Sequence, residues 1–233
     1  MEIHVITAFP KVFQGPLNES ILKRAQNAGI VEIHLHDIRD YTRDKHKQID
    51  DYPYGGGAGM ILKPEPLFRC IEDVYEKYAL GETPLTLMSA SGETYNQKKA
   101  VEISLRDKLV LLSGHYKGID ERVIEELVDE EISIGDYILT GGEIPAVAII
   151  DSVVRLLPGA IGDIDSAIND SFQTGLLDHP HYTRPENFRG MTVPKVLLSG
   201  NHAEIEKWRR LKALERTKER RKDLYLKYIE SEN

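Results

Sequence analysis

Long apolar runs are missing from this 233-residue sequence, and so is any pair of cysteines. No run approaches the roughly 20 apolar residues that a membrane-spanning helix needs. The start, MEIHVITAFP, lacks the basic segment and long apolar segment of a secretory signal. The single cysteine, Cys70, excludes an intramolecular disulfide framework and is typical of a reducing compartment. We therefore expect a cytoplasmic protein without a membrane span.

The common phosphate-binding and nucleophile motifs are also missing. The turn FPKVFQG has no G-x-G-x-x-G pattern, and YGGGAGM has Met60 where the last glycine would stand. A Walker loop is excluded because G-K-[ST] occurs nowhere. There is no G-x-S-x-G elbow, and Cys70 lies in an amphipathic helical pattern, so nucleophilic catalysis has little support.

Metal-ligand patterns are weak. His34 and His36 share one face of a predicted strand, and His179 and His181 flank a proline. Neither pair has a nearby cysteine or third histidine to complete a tetrahedral site. The sequence therefore gives no reason to expect a structural zinc ion.

The net charge of −8 argues against a nucleic-acid partner, but the charge is unevenly distributed. Residues 201–233 contain 10 Lys and Arg against 7 Asp and Glu, a local net charge of +3. A local basic face binds a phosphate backbone whatever the total charge. The alternative is a solvated helix with paired charges, and the sequence leaves both interpretations open.

Apolar strands alternate with helical patterns through the first 160 residues. This alternation predicts an α/β fold with a largely parallel sheet covered on both faces. The predicted strands are EIHVITAF, VEIHLHDI, TPLTLM, KLVLLSG and EISIGDYIL. The predicted helices are SILKRAQNAG, PEPLFRCIEDVYEKYA, NQKKAVEISL, DERVIEELV and IPAVAIIDSVVRLL. After a long connector rich in turn formers, NHAEIEKWRRLKALERT and RRKDLYLKYIE predict a small helical module.

Three predicted strands end in glycine-containing loops, SASG, GHYKG and GDYILTGGEIP. Ligands of open parallel sheets bind beyond the carboxyl ends of the strands. Because glycine lets a backbone approach a ligand closely, the loops predict a pocket for a flat heteroaromatic base. The plainer interpretation of Gly141-Gly142 is a strand-to-helix turn.

The segment RDYTRDKHKQIDDYPYGGGAGM interleaves basic and aromatic residues. This composition suits RNA, through phosphate contacts and base stacking. An ordinary charged surface loop has the same composition, so this alternative stays open.

The ordered motifs carry a family resemblance that covers nearly the whole chain. They are DYPYGGGAGM, LLSGHYKGIDERV, EISIGDYILTGGEIPA, IIDSVVRLLPG, GLLDHPHYTRP and VLLSGNHAEIEKWR. Together they resemble the bacterial tRNA (guanine-N1)-methyltransferases of the TrmD type, which are SPOUT methyltransferases. The resemblance implies a SPOUT-type parallel sheet with a deep trefoil knot, an exception to the rule against threaded chains, and a homodimer. It also implies S-adenosyl-L-methionine as methyl donor and N1 of guanosine-37 in tRNA as acceptor.

The resemblance assigns site residues. The expected cofactor-binding residues are Met88, Ser89, Gly114, Tyr116, Ile134, Gly135, Asp136, Tyr137, Ile138, Leu139, Gly141 and Gly142. N1 of guanine carries a proton, so methyl transfer needs a base, and the charge that develops toward O6 needs a cation. The family pattern places the base at Asp170 and the cation at Arg155. The plainer alternatives are a turn residue for Asp170 and a pairing of Arg155 with Asp151.

The resemblance also divides the chain. It implies a methyltransferase domain at 1–160, a linker at 161–176 that carries Asp170 and covers the partner subunit's cofactor, and a tRNA-binding helical domain at 177–233. Expected tRNA contacts are His46, Gly59, Arg184, Lys207, Arg209 and Arg210. Mg²⁺ is an open expectation without assigned ligands.

One departure from the family pattern concerns Lys117, which stands where an acidic residue is expected. If that acid holds the cofactor's amino group or Mg²⁺, the lysine puts the contact in doubt. Two rival hypotheses stay open. One is a related methyltransferase acting on ribose 2′-OH or ribosomal RNA, and the other is a non-catalytic RNA-binding protein.

Overall fold

A computed structural model describes residues 1–161 and 170–232 of the chain. The chain divides into two compact units, Met1–Gly162 and Asp163–Asn233. The division falls inside the segment predicted as a linker, of which residues 162–169 lie outside the described residues. Within the described part, no helix combines the length and the apolar character required to cross a membrane.

The first unit contains a five-stranded sheet. Its strands are β1 (Glu2–Thr7), β2 (Glu32–Asp37), β5 (Leu85–Thr94), β6 (Lys108–Ser113) and β7 (Glu130–Ser133), and the short strands β3 (Asp50–Asp51) and β4 (Ile61–Leu62) form a separate ribbon. The sheet order is β2-β1-β6-β5-β7, and every neighbouring pair is parallel. The prediction of a parallel α/β sheet is therefore confirmed.

Helices follow the strands of this unit. They are α1 (Gln14–Leu17), α2 (Ser20–Asn27), α3 (Pro64–Lys77), α4 (Gln97–Ser104), α5 (Glu121–Leu127) and α6 (Glu143–Val154), with short 3₁₀ segments at Pro10–Phe13 and Ile38–Tyr41. Helix α3 begins at a proline, which fits the first turn because its missing N–H has no helical partner there. All the helices predicted for this part of the chain are present.

The sheet is buried on both faces, and its central strand β6 shows this because its residues 109–112 are all apolar. Leu109 and Leu111 belong to one buried cluster, and Val110 and Leu112 belong to the other. Successive side chains of a strand point to opposite faces, so one continuous apolar run serves two cores. Burying one side chain of this size stabilises the folded state by about 1.5–3 kcal/mol relative to leaving it exposed.

Two strand boundaries differ from the sequence prediction. Strand β7 ends at Ser133 and does not continue through GDYIL, because Gly135 has φ +140° and Tyr137 N–H donates to its carbonyl oxygen at 2.9 Å. Strand β5 does not end before SASG. Its Met88 and Glu93 both pair with Ile132, so the four intervening residues bulge out of the ladder and the strand then resumes.

The second unit is helical with one small hairpin. It contains β8 (Asn187–Phe188), β9 (Met191–Thr192), α7 (Lys195–Leu198), α8 (His202–Arg220) and α9 (Lys222–Glu232). The Asn201 side chain caps α8 by accepting from Glu204 N–H. Thr217 is fully buried, and its hydroxyl accepts from Leu177 N–H at 2.9 Å and donates to Ala213 O at 2.7 Å. Both helices predicted for this region are confirmed.

Candidate functional site

A cavity of about 600 Å³ lies beyond the carboxyl ends of β6 and β7 and against the bulge of β5. The loops that follow β6 and β7 meet there. Gly142 N–H donates to Gly114 O at 2.7 Å, and His115 and Gly141 form an antiparallel bridge. The cavity volume is within the usual range for small-molecule sites, about 300–1,000 Å³.

Nearly all of the predicted cofactor-binding residues line this cavity. The ones that do are Met88, Ser89, Gly114, Tyr116, Ile134, Gly135, Tyr137, Ile138, Leu139, Gly141 and Gly142. Asp136 is exposed in the same loop and is not among the lining residues. Tyr116 has φ +59°, a left-handed conformation that is rare for an aromatic residue and tends to occur at binding sites.

The paired glycines allow two loops to approach closely. A Cβ on Gly142 would lie 2.9 Å from Met88 Cβ and from Ser113 Cα, so the backbone itself occupies the space. A Cβ on Gly141 would collide with the Glu143 carboxylate and the His115 ring. Gly142 has φ −79°, which any residue adopts, so close contact and not a left-handed turn explains the glycine.

A buried carboxylate stands behind the glycines, and the sequence interpretation missed it. Glu143 is 3% exposed, accepts a hydrogen bond from Thr7 Oγ1 at 3.0 Å, and lies 3.2 Å from His115 Nδ1. It is also in the first turn of α6, where the helix dipole stabilises negative charge. The available signal was an acidic residue at the first position of a helix that is otherwise mostly apolar.

Lys117 and Gly59 are brought together at the cavity rim. Lys117 lines the cavity, and its N–H donates to Met60 O at 3.0 Å. A Cβ on Gly59, which has φ +99°, would lie 2.8 Å from Lys117 Cγ. The segment around Gly59 therefore lies directly beside the loop that departs from the family pattern.

Other predicted residues of the first unit lie elsewhere. His46 is exposed, and its N–H donates to Asp44 Oδ1 at 2.8 Å. Backbone N–H groups of Gln48 and His46 hold the pKa of Asp44 below its ordinary value. Arg155 is half-buried at the end of α6, where its N–H donates to Asp151 O at 3.2 Å. Neither His46 nor Arg155 is among the described residues that line the cavity.

The second unit has its own cavity of about 410 Å³, which includes Asp170, Arg209 and Arg210. Arg210 Nη2 donates to Tyr228 Oη at 3.2 Å, and Arg209 Nη1 lies 2.6 Å from Glu206 Oε1. The predicted contacts Arg184 and Lys207 are not among the described lining residues.

A parallel sheet with a glycine-lined cavity at its carboxyl edge defines the α/β proteins that bind a ligand beyond their strand ends. Within this class, the chain belongs to the tRNA (guanine-1)-methyltransferase TrmD family, whose sequence model matches residues 1–227. It is therefore a methyltransferase.

Named relatives are similar over almost their whole length. A tRNA (guanine-N(1)-)-methyltransferase of Clostridioides difficile (strain 630) is 48% identical over 227 residues, which are 97% of this chain and 98% of the relative. The same enzyme of Anoxybacillus flavithermus is 54% identical over 228 residues, 98% of this chain and 93% of the relative. The enzyme of Dehalococcoides mccartyi (strain ATCC BAA-2266) is 53% identical over 224 residues, which are 96% of this chain and 90% of the relative.

Proposed function

We propose that this protein transfers a methyl group from S-adenosyl-L-methionine to N1 of guanosine-37 in tRNA. The observation that carries the proposal is the cavity built by the β5 bulge and the two loops after β6 and β7, in a chain that belongs to the TrmD family. Methylation beside the anticodon supports maintenance of the reading frame.

The first cavity fits an adenosyl cofactor in size and chemistry. Met88, Ile134 and Leu139 offer apolar walls, and the glycine loops offer backbone N–H and C=O groups for the edge of a base. Leu139 is 39% and Tyr137 57% exposed, which is apolar surface that a ligand would cover. When bound, S-adenosyl-L-methionine supplies the electrophilic methyl group.

Two side chains handle the proton and the charge of guanine. Asp170 accepts the proton from N1 as the methyl group arrives, which leaves the nitrogen lone pair to form the new bond. Arg155 faces the negative charge that develops on O6. The support for both roles is the family pattern at these two positions.

The proposal includes a trefoil knot and a homodimer with composite sites. The knot is supported by backbone hydrogen bonds that join the 114–118 loop to the 134–142 loop. In the dimer, the linker of one chain carries Asp170 to the cofactor cavity of the other. The protein then works in the cytoplasm on tRNA.

The tRNA contacts are proposed on both units. Basic side chains of the second unit bind phosphates, and Gly59 and His46 approach the anticodon loop. The proposed contacts are His46, Gly59, Arg184, Lys207, Arg209 and Arg210. Mg²⁺ has no assigned ligands, because the groups of His, Asp and Glu close enough to hold an ion lie outside the first cavity in the described part of the chain.

The deciding experiment is methyl transfer to an unmodified tRNA transcript with guanosine at position 37. Digestion and mass spectrometry should identify 1-methylguanosine at that position, and a transcript with adenosine there should stay unmethylated. A 2′-O-methylated nucleoside would establish the rival ribose methyltransferase. Absence of both methylation and cofactor binding would establish a non-catalytic RNA-binding protein.

A further inference from the structure

Three histidines lie together on one face of the sheet, on strands β1 and β2, none of whose residues is among the described residues that line the first cavity. Strands β1 and β2 pair in parallel with Glu2 opposite Glu32, His4 opposite His34 and Ile6 opposite His36. The His4 ring stacks on His34 with centroids 4.9 Å apart and on His36 with centroids 5.3 Å apart. The third histidine that the sequence pattern did not supply is therefore His4, from the neighbouring strand.

The polar atoms of this group have the spacing of metal ligands. Glu2 Oε1 lies 3.1 Å from His4 Nε2 and 3.5 Å from His34 Nε2, and the three ligand atoms are all within 4.8 Å of one another. Tetrahedral zinc, with bonds of about 2.0–2.1 Å, separates its ligand atoms by about 3.4 Å. The two measured separations lie on either side of that value.

His4 is fully buried, and one of its ring nitrogens is unsatisfied. Its Nδ1 lies 3.1 Å from His36 Nε2, within hydrogen-bond distance. By hydrogen-bond geometry, Nε2 has no partner among the described residues, although Glu2 Oε1 lies only 3.1 Å away. A buried polar atom without a partner destabilises the fold, so a ligand bound at this atom would be favourable.

A neutral imidazole carries a proton on one ring nitrogen and a bare lone pair on the other, and the bare nitrogen is the one that binds metals. If the His4 proton is on Nδ1 and bonds His36, Nε2 presents a bare lone pair 3.1 Å from a carboxylate oxygen. Two acceptors at that distance repel each other unless a proton or a metal cation lies between them.

We propose that Glu2, His4 and His34 bind a divalent transition-metal ion of the zinc type. Two imidazoles and one carboxylate are a usual zinc ligand set, with water in the fourth position, whereas Mg²⁺ prefers oxygen ligands. His36 supports the site from behind through His4 Nδ1, as outer partners of metal-bound histidines do.

The surroundings leave two of the three ligand side chains partly exposed and orient the carboxylate. The side chains of Glu2 and His34 are 28% and 21% exposed, whereas His34 Nε2, like His4 Nε2, is buried and has no hydrogen-bond partner among the described residues. Lys108 Nζ lies 3.7 Å from Glu2 Oε2, the oxygen that does not face the histidines. The His4 and His34 rings are inclined by 16°, so binding turns the more exposed His34 ring toward the ion.

The role of this ion is structural. Strand β2 is an edge strand of the sheet, paired on one side to β1. Ligands from both strands join that edge strand to its neighbour, and no residue of either strand is among the described residues that line the first cavity. Metal binding should therefore raise stability without changing methyl transfer.

The test uses the full-length protein, stripped with a chelator and titrated with Zn²⁺ in a calorimeter. We expect one site, with affinity at least tenfold weaker in Glu2→Gln and in His34→Gln. The control is His181→Gln, which alters the other group of possible ligands, Asp178, His179 and His181. This control should keep the affinity of the unmodified protein.

Thermal unfolding gives a second readout. Zn²⁺ should raise Tm in the unmodified protein and in His181→Gln, and should raise it less in His34→Gln at the same Zn²⁺ concentration. X-ray absorption at the zinc edge should show two imidazole ligands. Unchanged affinity in both Glu2→Gln and His34→Gln, or loss of binding in His181→Gln, would overturn the proposal. If Glu2→Gln fails to fold, His34→Gln decides alone, because the His34 side chain is partly exposed, at 21%.

Discussion

At the scale of single residues, Gly142 is a cavity position where one added methyl group would meet packed atoms. Gly142→Ala would place a carbon 2.9 Å from Ser113 Cα, and the strand backbone has nowhere to move. We expect a loss of about 1–3 kcal/mol in the free energy of unfolding, as for other overpacked sites. Urea denaturation measures this change in the free energy of unfolding. Calorimetry should also show weaker S-adenosyl-L-methionine binding.

The matched control for that substitution is Gly15→Ala. A Cβ on Gly15 meets nothing within 4 Å, and this exposed glycine lies in α1. Alanine suits a helix better than glycine, so the control should be neutral or slightly stabilising. Equal stability of Gly142→Ala and Gly15→Ala would show that the loops do not approach each other as closely as described.

Asp170 gives a prediction about chemistry. Asp170→Asn keeps the size of the side chain but removes the base, so the rate of methyl transfer should fall by about 10²–10⁴-fold. Calorimetric cofactor binding should be unchanged. Asp223→Asn, an exposed position beside Arg221, is the control and should keep full activity. Turnover of Asp170→Asn near that of the control would remove Asp170 from the base role.

At the scale of elements, one ion pair attaches strand β7 to the segment after α4. Arg106 donates to both oxygens of Glu130, at 2.8 and 3.1 Å. The hydrogen bonds from Arg106 hold the pKa of Glu130 below its ordinary value. Glu130→Gln should lower the free energy of unfolding at pH 7 by about 1.5–3 kcal/mol.

The pH dependence of that loss follows from the direction of the shift. Because the pKa of Glu130 is lowered on folding, its contribution is complete above the unfolded pKa and is lost as the pH falls through the folded pKa. The stability difference between the unmodified protein and Glu130→Gln should therefore shrink in acid. Glu72→Gln, at an exposed position of α3, should show no such trend. A difference that stays constant with pH would mean that the pair is not responsible.

Most of these elements could be predicted, because apolar periodicity reflects burial directly. The alternating clusters of β6 and the helix of Pro64–Lys77 are examples. The ends of β5 and β7 could not be predicted. The bulge after Met88 arises because Met88 and Glu93 both pair with Ile132, and the turn at Gly135 depends on the positive φ of that glycine. Neither leaves a periodic signal.

The sites show the same limit. Loop glycines and apolar residues at the strand ends are enough to predict a cavity from the sequence alone. The Thr7–Glu143 hydrogen bond joins residues 136 positions apart, and His4 meets His34 through strand register. Neither contact can be read from the spacing of residues along the chain. The buried carboxylate and the third histidine therefore cannot be found without knowing which strand residues lie opposite each other.

At the scale of the whole molecule, the proposed composite site can be tested by mixing two inactive chains. Asp170→Asn and Gly142→Val each disable one half of the site, and differently tagged copies can be co-expressed. If Asp170 serves the partner's cavity, a random mixture of dimers regains about a quarter of the sites.

The purified mixed dimer gives the sharper measurement. It should have one working site of two, whereas each parental dimer should have none. If Asp170 instead serves the cavity of its own chain, the mixed dimer stays inactive. Co-expression of Asp170→Asn with itself under two tags is the control for the tags.

The cavity is assembled from backbone that belongs to three separate stretches of sequence, and its walls exist only when all of them are in place. A ligand of this cavity therefore binds only the fully folded chain, because a partly unfolded chain has no complete binding site. Saturating cofactor should draw the population toward the intact form by mass action. If S-adenosyl-L-methionine is that ligand, as proposed, its binding would therefore slow proteolysis of this protein.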